Sequence, residues 1–227
     1  MKTPSYSLLG LALLLACAPA AGAATLLLTD NILGTIPDGS SSGLARTIAV
    51  SAGLETITAV AVNLQIRATP GEDAFLGDLH VYLTNGTDLA VLVNRPGRTA
   101  TALAGYDDNQ SLNVTFTTTA VGDFHSYRLG TTGSASNPLL AALSGPWLAD
   151  GRTSDPANVL DTDSPLARLD VFNGGTASHD WSLFVADLSG GGMHQLVTWS
   201  IELTTIPEPS SLLLSIGTLS LLLRRRR

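Results

Sequence analysis

Two short acidic clusters contain the side chains of this sequence best suited to hold a metal ion. One is Asp107-Asp108-Asn109, and the other is Asp161-Thr162-Asp163. Calcium takes about six to eight oxygen ligands, and loops of this composition commonly supply them. The same side chains also accept hydrogen bonds from backbone N–H groups in ordinary turns. We therefore expect no resident cofactor, with calcium at Asp107, Asp108, Asp161 and Asp163 as the alternative.

Residues that could serve hydrolysis are present, but their spacing does not assemble a catalytic site. Ser41 lies at the centre of a G-x-S-x-G match, which presents a nucleophile only at a strand-to-helix turn. Here it falls in a low-complexity loop, DGSSSG, before a predicted strand. Four histidines lack metal-binding spacing, and we expect them to be solvated or in turns: His80, His125, His179 and His194. Three glutamates show no pairing for acid–base chemistry: Glu55, Glu72 and Glu202. The sequence therefore predicts a protein that is not an enzyme.

The composition favours a β-rich globular body that does not bind nucleic acid. Only 14% of the residues are charged, and 44% are hydrophobic. Residues 24–206 contain seven arginines, no lysine and 18 acidic residues, a net charge of −11. Binding to a phosphate backbone needs clustered Lys and Arg, so this balance argues against nucleic acid as a partner.

Alternation of apolar and polar residues predicts eight or nine strands in this body. In residues 58–67, Val60, Val62, Leu64 and Ile66 share one face, which is typical of a half-buried strand. Similar segments occur at residues 25–29, 46–50, 79–83, 88–93, 112–116, 181–187 and 196–203. In the last of these, four residues are predicted to face inward: Val197, Trp199, Ile201 and Leu203. Asn85-Gly86 and the Gly190-Gly191-Gly192 run predict turns, and residues 137–143 hint at a helical turn. This pattern favours an all-β antiparallel sandwich or jelly roll.

The N-terminal segment reads as a secretory signal peptide covering residues 1–23. Lys2 precedes an apolar stretch, and Ala21-Gly22-Ala23 forms an A-x-A cleavage site for signal peptidase. Cleavage there removes Cys17, the single cysteine of the chain, and with it disulfides and thiolate chemistry. Residues 14–17 also resemble a lipobox, so lipidation of Cys17 is the alternative.

The C-terminal segment, residues 206–227, combines three features in a fixed order. Pro207-Glu208-Pro209 comes first, and the prolines should end regular structure there. An apolar run of 14 residues, 210–223, follows, which is short for a transmembrane helix. Four arginines follow, and the positive-inside rule predicts that they stay on the cytoplasmic side: Arg224, Arg225, Arg226 and Arg227. This order resembles a PEP-CTERM sorting signal. The resemblance implies a short transmembrane sorting helix, processing by a membrane exosortase, and delivery to the surface, outer membrane or extracellular matrix of a Gram-negative bacterium.

Two motifs in the body support a second resemblance. Thr84-Asn85-Gly86-Thr87 forms a turn after a strand, and residues 172–187 place Trp181 and Asp187 in register with a family pattern. With the closing stretch 194–203, these segments resemble the P domain of proprotein convertases, also called Homo B. Asp180 and Met193-His194 depart from that pattern. The resemblance spans residues 45–205 and implies a jelly-roll sandwich without catalytic residues, of a kind that accompanies subtilisin-type proteases.

These observations predict three parts: a signal peptide (1–23), a P/Homo B-like domain (24–205) and a sorting segment (206–227). We expect an exported module with a structural, adhesive or binding role. The alternative is an accessory domain or hydrolase that acts on extracellular polysaccharide or protein. If the module binds polysaccharide, Trp147 is the tryptophan left to stack on sugars, because Trp181 and Trp199 are predicted to face inward.

Overall fold

Strands account for most of the regular structure in the computed structural model, which describes residues 22–51, 53 and 55–207. The named elements are β1 (Ala24–Asp30), β2 (Gly34–Thr35), β3 (Ser40–Ala49), β4 (Glu55–Ala68), β5 (Leu79–Thr84), β6 (Leu89–Asn94), β7 (Leu112–Phe116), α1 (Tyr127–Thr132), β8 (Leu143–Trp147), β9 (Asp180–Asp187) and β10 (His194–Pro207). All eight strands predicted from the sequence are present. The structure adds β2 and β8, which are too short or too rich in Gly and Pro to show alternation.

The strands form two sheets. The larger sheet has the order β1-β10-β4-β7-β8, with β2 pairing to β10, and the smaller sheet has the order β3-β9-β5-β6. Neighbouring strands run antiparallel except β7 and β8, which are parallel. The predicted all-β architecture of packed sheets is therefore confirmed at this level.

One hydrophobic core lies between the two sheets. The predicted inward face of β4 is correct, since Val60, Val62, Leu64 and Ile66 are all almost fully buried. They share a continuous cluster with the inward residues of β5 and β9, including Trp181. Burying two faces of alternating strands against each other removes a large apolar area from water, the main contribution to the stability of such a fold.

A β-bulge in β10 changes which of its residues face the core. Its pairing with β4 shifts register between Leu196 and Thr198. Leu196 is buried, whereas Val197 is only partly buried, and Trp199, Ile201 and Leu203 then point inward as expected. The extra residue reverses the alternation on one side of the bulge, so Val197 was wrongly assigned to the inner face.

Two local predictions were also wrong. Residues 137–143 contain no helix; the α-helix of the described residues, α1, lies earlier, at Tyr127–Thr132. Three short 3-10 helices lie at Leu76–Asp78, Phe124–Ser126 and Leu169–Phe172. The segment predicted as a loop around Ser41 belongs to β3, which begins at Ser40 and pairs irregularly with β9 up to Leu44. Gly43 lies in this irregular stretch with φ at +54°, a backbone conformation that residues other than glycine rarely adopt.

The first and last described strands lie next to the predicted processing sites. β1 begins at Ala24, and β10 continues to Pro207, so regular structure reaches the first proline of the sorting motif. Residues 1–21 and 208–227, with Cys17, Glu208, Pro209 and the four arginines, lie outside the described residues. Within the described ranges, no helix has the length and hydropathy needed to cross a bilayer.

Candidate functional site

The outer face of the smaller sheet carries a pair of stacked aromatic rings. Residues of β5 alternate sides, so His80 and Tyr82 face outward while Leu79, Val81 and Leu83 fill the core. Tyr82 is directly opposite Phe184 of β9. Their ring centroids are 4.8 Å apart with the planes inclined by 19°, a stacked arrangement. Both rings are partly exposed, so an aromatic surface is available on this face.

A cleft of about 290 Å³ opens beside this ring pair. Its floor is formed by His80 and Tyr82 of β5 with Leu89 and Val91 of β6, and its opposite wall is the loop of residues 152–156. The lining therefore combines aromatic and aliphatic surface with the polar groups of His80, Tyr82, Thr153 and Asp155. Apolar walls with a few placed polar groups are typical of small-molecule binding sites.

Asn94 fixes the loop that forms the wall of the cleft. This side chain is fully buried, and its Nδ2 donates to the carbonyl oxygens of Arg152 (3.0 Å) and Ser154 (2.9 Å). Backbone bonds from Asp150 N to Leu92 O and from Gly151 N to Val91 O attach the preceding residues to β6. The loop is thus anchored to the sheet by side chain and backbone, and the cleft is preformed.

Behind the cleft wall lies a buried network of charges. Arg152 donates to both carboxylate oxygens of Asp123 (3.3 and 3.0 Å) and to Asp150 (3.1 Å). His125 contacts Asp150 through Nδ1 (2.9 Å) and the Arg98 carbonyl through Nε2 (3.0 Å), and both side chains of this pair are completely buried. Burial alone would lower the pKa of His125, but the bond to Asp150 raises it above its usual value. An imidazolium donating from both nitrogens fits these two acceptors.

Three buried polar atoms near the cleft lack a hydrogen-bond partner among the residues that the structure describes: His80 Nδ1, Asn94 Oδ1 and Arg152 Nε. His80 and Asn94 are paired across β5 and β6, so two of these atoms belong to neighbouring side chains on one face. Burial lowers the pKa of His80, and Asn94, Asp150 and Asp155 offset this only in part. His80 is therefore neutral near pH 7. Unpaired buried polar atoms are uncommon in folded proteins, so these three atoms distinguish the polar side of the cleft from the rest of the sheet surface.

The acidic residues proposed as calcium ligands bond to other groups of the protein. Asp108 is buried and accepts hydrogen bonds from Tyr127 Oη (2.6 Å), Arg128 Nε (2.7 Å) and the Leu139 backbone (2.6 Å). Burial alone would raise the pKa of Asp108, but these donors, Arg128 first, hold it below the usual value. Asp107 is exposed and contacts the same arginine.

The second acidic cluster supports a turn. Asp163 accepts a hydrogen bond from the Leu160 backbone, and the Asp161 carbonyl accepts one from Arg152. Within the described ranges, no group of three or more His, Cys, Asp or Glu side chains converges as metal ligands would. Calcium binding stays a prediction.

The expectation of solvated or turn histidines was wrong for two of the four. His125 is fully buried, and His194, 1% exposed, contacts Asp187 through Nδ1 at 2.7 Å. His179 is partly buried and contacts Thr176. The partner of His125 lies 25 residues away in the sequence, so no local spacing could identify it.

Ser41 and Trp147 do not take part in the cleft. Ser41 is an exposed residue of β3 whose neighbour Ser42 bonds to Ser40. Trp147 is only 6% exposed, and its ring packs edge-to-face against Phe124 at 6.2 Å. The expected stacking platform is therefore a core residue, and the exposed stack is formed by Tyr82 and Phe184 instead.

A larger hollow of about 620 Å³ lies beside β8, lined by Thr131, Thr132 and residues 137–144. Its lining is mainly aliphatic and includes no ionisable side chain. Size alone does not provide recognition chemistry, so we place the candidate site at the aromatic cleft.

No protein-family model matches the chain, and no curated protein matches it. Among solved structures, a similar chain occurs in the crystal structure of the complex between the Aeromonas sobria serine protease and the chaperone ORF2. It is 15% identical with a TM-score of 0.45, over 84% of this chain. This chain spans 28% of that solved chain, and at this similarity the match supports no functional inference.

Proposed function

We propose that this chain is an exported, non-catalytic module that binds extracellular polysaccharide on the outer face of its smaller sheet. The stacked pair of Tyr82 and Phe184 beside the preformed cleft carries this proposal. Aromatic rings offer a large, rigid apolar surface at low entropic cost, suited to the C–H faces of sugar rings. Binding, without chemistry, would hold the module on matrix or cell-surface polymer.

On this proposal the body is a P/Homo B-like jelly roll. Support comes from the motif residues, since Phe172 and Trp181 pack edge-to-face at 4.9 Å in the core. The proposed family turn, residues 84–87, closes the hairpin of β5 and β6, where Asn85 Oδ1 accepts from the Thr87 and Asp88 backbones. The motifs thus coincide with a structural core and a hairpin turn.

The two terminal segments of the sequence would direct export of the protein and its delivery to the cell surface. Signal peptidase would remove residues 1–23, and an exosortase would process the chain near Pro207-Glu208-Pro209 after the short membrane helix has held it. β10 reaches Pro207, which supports a sorting motif placed directly at the edge of the folded body.

Binding of the protein to purified extracellular polysaccharide of the producing bacterium tests the proposal. We expect Tyr82→Ala and Phe184→Ala each to weaken affinity by about fivefold to tenfold in calorimetry. Leu140→Ala is the control, because Leu140 is 96% exposed but lies outside this sheet. Undiminished binding by both aromatic variants, at unchanged melting temperature, would contradict the proposal.

A further inference from the structure

We infer that the cleft selects a neutral, hydroxyl-rich sugar residue and that His80 and Asp155 accept hydrogen bonds from its hydroxyl groups. This inference rests on the proposed function and names the ligand class of the same site. Three features support it: the hydrogen-bonding state of His80, the charges that a ligand in the cleft would meet, and the shape of the aromatic wall.

The first step is the hydrogen-bonding state of His80. Nδ1 of His80 and Oδ1 of Asn94 are both buried without a hydrogen-bond partner among the described residues, and the two residues are paired across β5 and β6. Asn94 Nδ2 donates to two carbonyl oxygens, and the free group of this amide is Oδ1, which as a carbonyl oxygen accepts hydrogen bonds. A neutral imidazole protonated at Nδ1, next to that oxygen, leaves Nε2 as an acceptor on the cleft side.

The second step is the charge available to a ligand. The guanidinium of Arg152, although it borders the cleft, directs both terminal nitrogens to Asp123 and Asp150 behind the wall, which leaves its buried Nε–H as the group without a partner among the described residues. Asp155 is an exposed acidic residue of the cleft lining. The body as a whole carries −11 over residues 24–206. A uronate or sulfated sugar would therefore meet repulsion, whereas hydroxyl groups can donate to His80 and Asp155.

The third step is the geometry of the walls. Tyr82 lies between the His80 ring, at 5.8 Å between centroids, and the stacked Phe184. Leu89 is 40% exposed at the cleft floor, and Pro156 completes the opposite wall. A sugar ring lying on Tyr82 and Leu89 would place its equatorial hydroxyls toward His80 on one side and the loop on the other. The volume of about 290 Å³ fits one or two sugar residues.

The test uses two sets of defined polysaccharides with the mature protein. The neutral set is dextran, laminarin and galactomannan, and the anionic set is alginate and polygalacturonate. We expect binding to at least one neutral polymer and at least tenfold weaker binding to both anionic polymers. We expect His80→Ala and Asp155→Asn to weaken neutral binding by about fivefold to tenfold each. His179→Ala is the matched control, a partly buried histidine away from the cleft, and should leave affinity unchanged.

The outcomes separate the two proposals. Loss of binding in Tyr82→Ala with full affinity in His80→Ala and Asp155→Asn keeps the polysaccharide proposal. It would also mean that the cleft's polar atoms hold only water, which overturns the hydroxyl inference. Preference for alginate or polygalacturonate overturns the inference in the same way. Absence of binding to every neutral and anionic polymer, including the native matrix polysaccharide, overturns both.

Discussion

At the scale of single residues, several charged groups of this protein are buried beside specific partners. Asp108 is held by Arg128 and Tyr127, and His125 by Asp150. Isolated charges are expensive to bury, and pairing with satisfied hydrogen bonds offsets that cost. These residues therefore serve the packing of loops around the sandwich. From residue type alone, Asp108 was a candidate calcium ligand, and His125 was expected to be solvated or in a turn.

We expect Asp108→Asn to destabilise the fold far more than Asp107→Asn, although both carboxylates contact Arg128. Asp108 is buried, and its replacement leaves a largely buried guanidinium without its main counter-charge, at a cost of about 3–5 kcal/mol. Asp107 is 83% exposed, and an exposed pair contributes about 0–1 kcal/mol. Urea unfolding of both variants measures the difference, and equal losses would refute the assignment.

The His125–Asp150 pair should make stability depend on pH. The pKa of His125 is raised above the 6.5 of the free side chain. Its contribution is therefore complete below about pH 6.5 and is lost as pH rises through the folded pKa. Titration of the His125 ring by NMR should give a midpoint above 6.5, and the unfolding free energy should decrease over that window. A midpoint below 6.5 would show that burial, not Asp150, dominates.

At the scale of the elements, the turn between β9 and β10 positions the closing strand. Gly192 packs against the Asp73 backbone so closely that a Cβ there would overlap the Asp73 carbonyl oxygen. Two residues away, a Cβ on Gly190 would meet open space. One glycine of the run is thus required by packing, whereas Gly190 is required by neither packing nor a positive φ.

Gly192→Ala should destabilise the protein by about 1–3 kcal/mol, because the Asp73 backbone must move to accept the methyl group. Gly190→Ala is the matched control in the same turn and should stay within about 0.5 kcal/mol of the wild type. Thermal unfolding of both variants by circular dichroism measures the effect. Similar melting temperatures for the two variants would mean that the Asp73 backbone moves to accept the methyl group without a loss of stability, which contradicts the prediction.

At the scale of the whole molecule, the two sheets seen in the described residues lie between the predicted processing sites. β1 begins at Ala24 and pairs along its whole length with β10, which itself ends at Pro207. Removal of residues 1–23 would leave every strand intact. The same holds for removal of the segment after Pro207. The proposed processing is therefore compatible with the described fold.

Mass spectrometry of protein from the cell surface should find an N-terminus at Ala24 and no Arg224, Arg225, Arg226 or Arg227. A lipid attached to Cys17 would instead favour the lipoprotein alternative. Substituting Glu208→Ala together with Pro209→Ala should leave the C-terminal arginines attached and reduce surface delivery, if an exosortase reads this motif. Complete trimming in that variant would contradict the sorting proposal.

The sequence by itself predicted eight of the ten described strands and most of their inward faces, because alternation along a strand is a local property of the pleated backbone. It also set the net charge of the body and both candidate processing motifs. Tertiary structure alone decided which charges meet, which face of β10 changes at the bulge, and that the stacked pair of Tyr82 and Phe184 lies beside a cleft lined by Tyr82, His80 and residues 152–156. These depend on contacts between segments far apart in the chain, for which local pattern carries no signal.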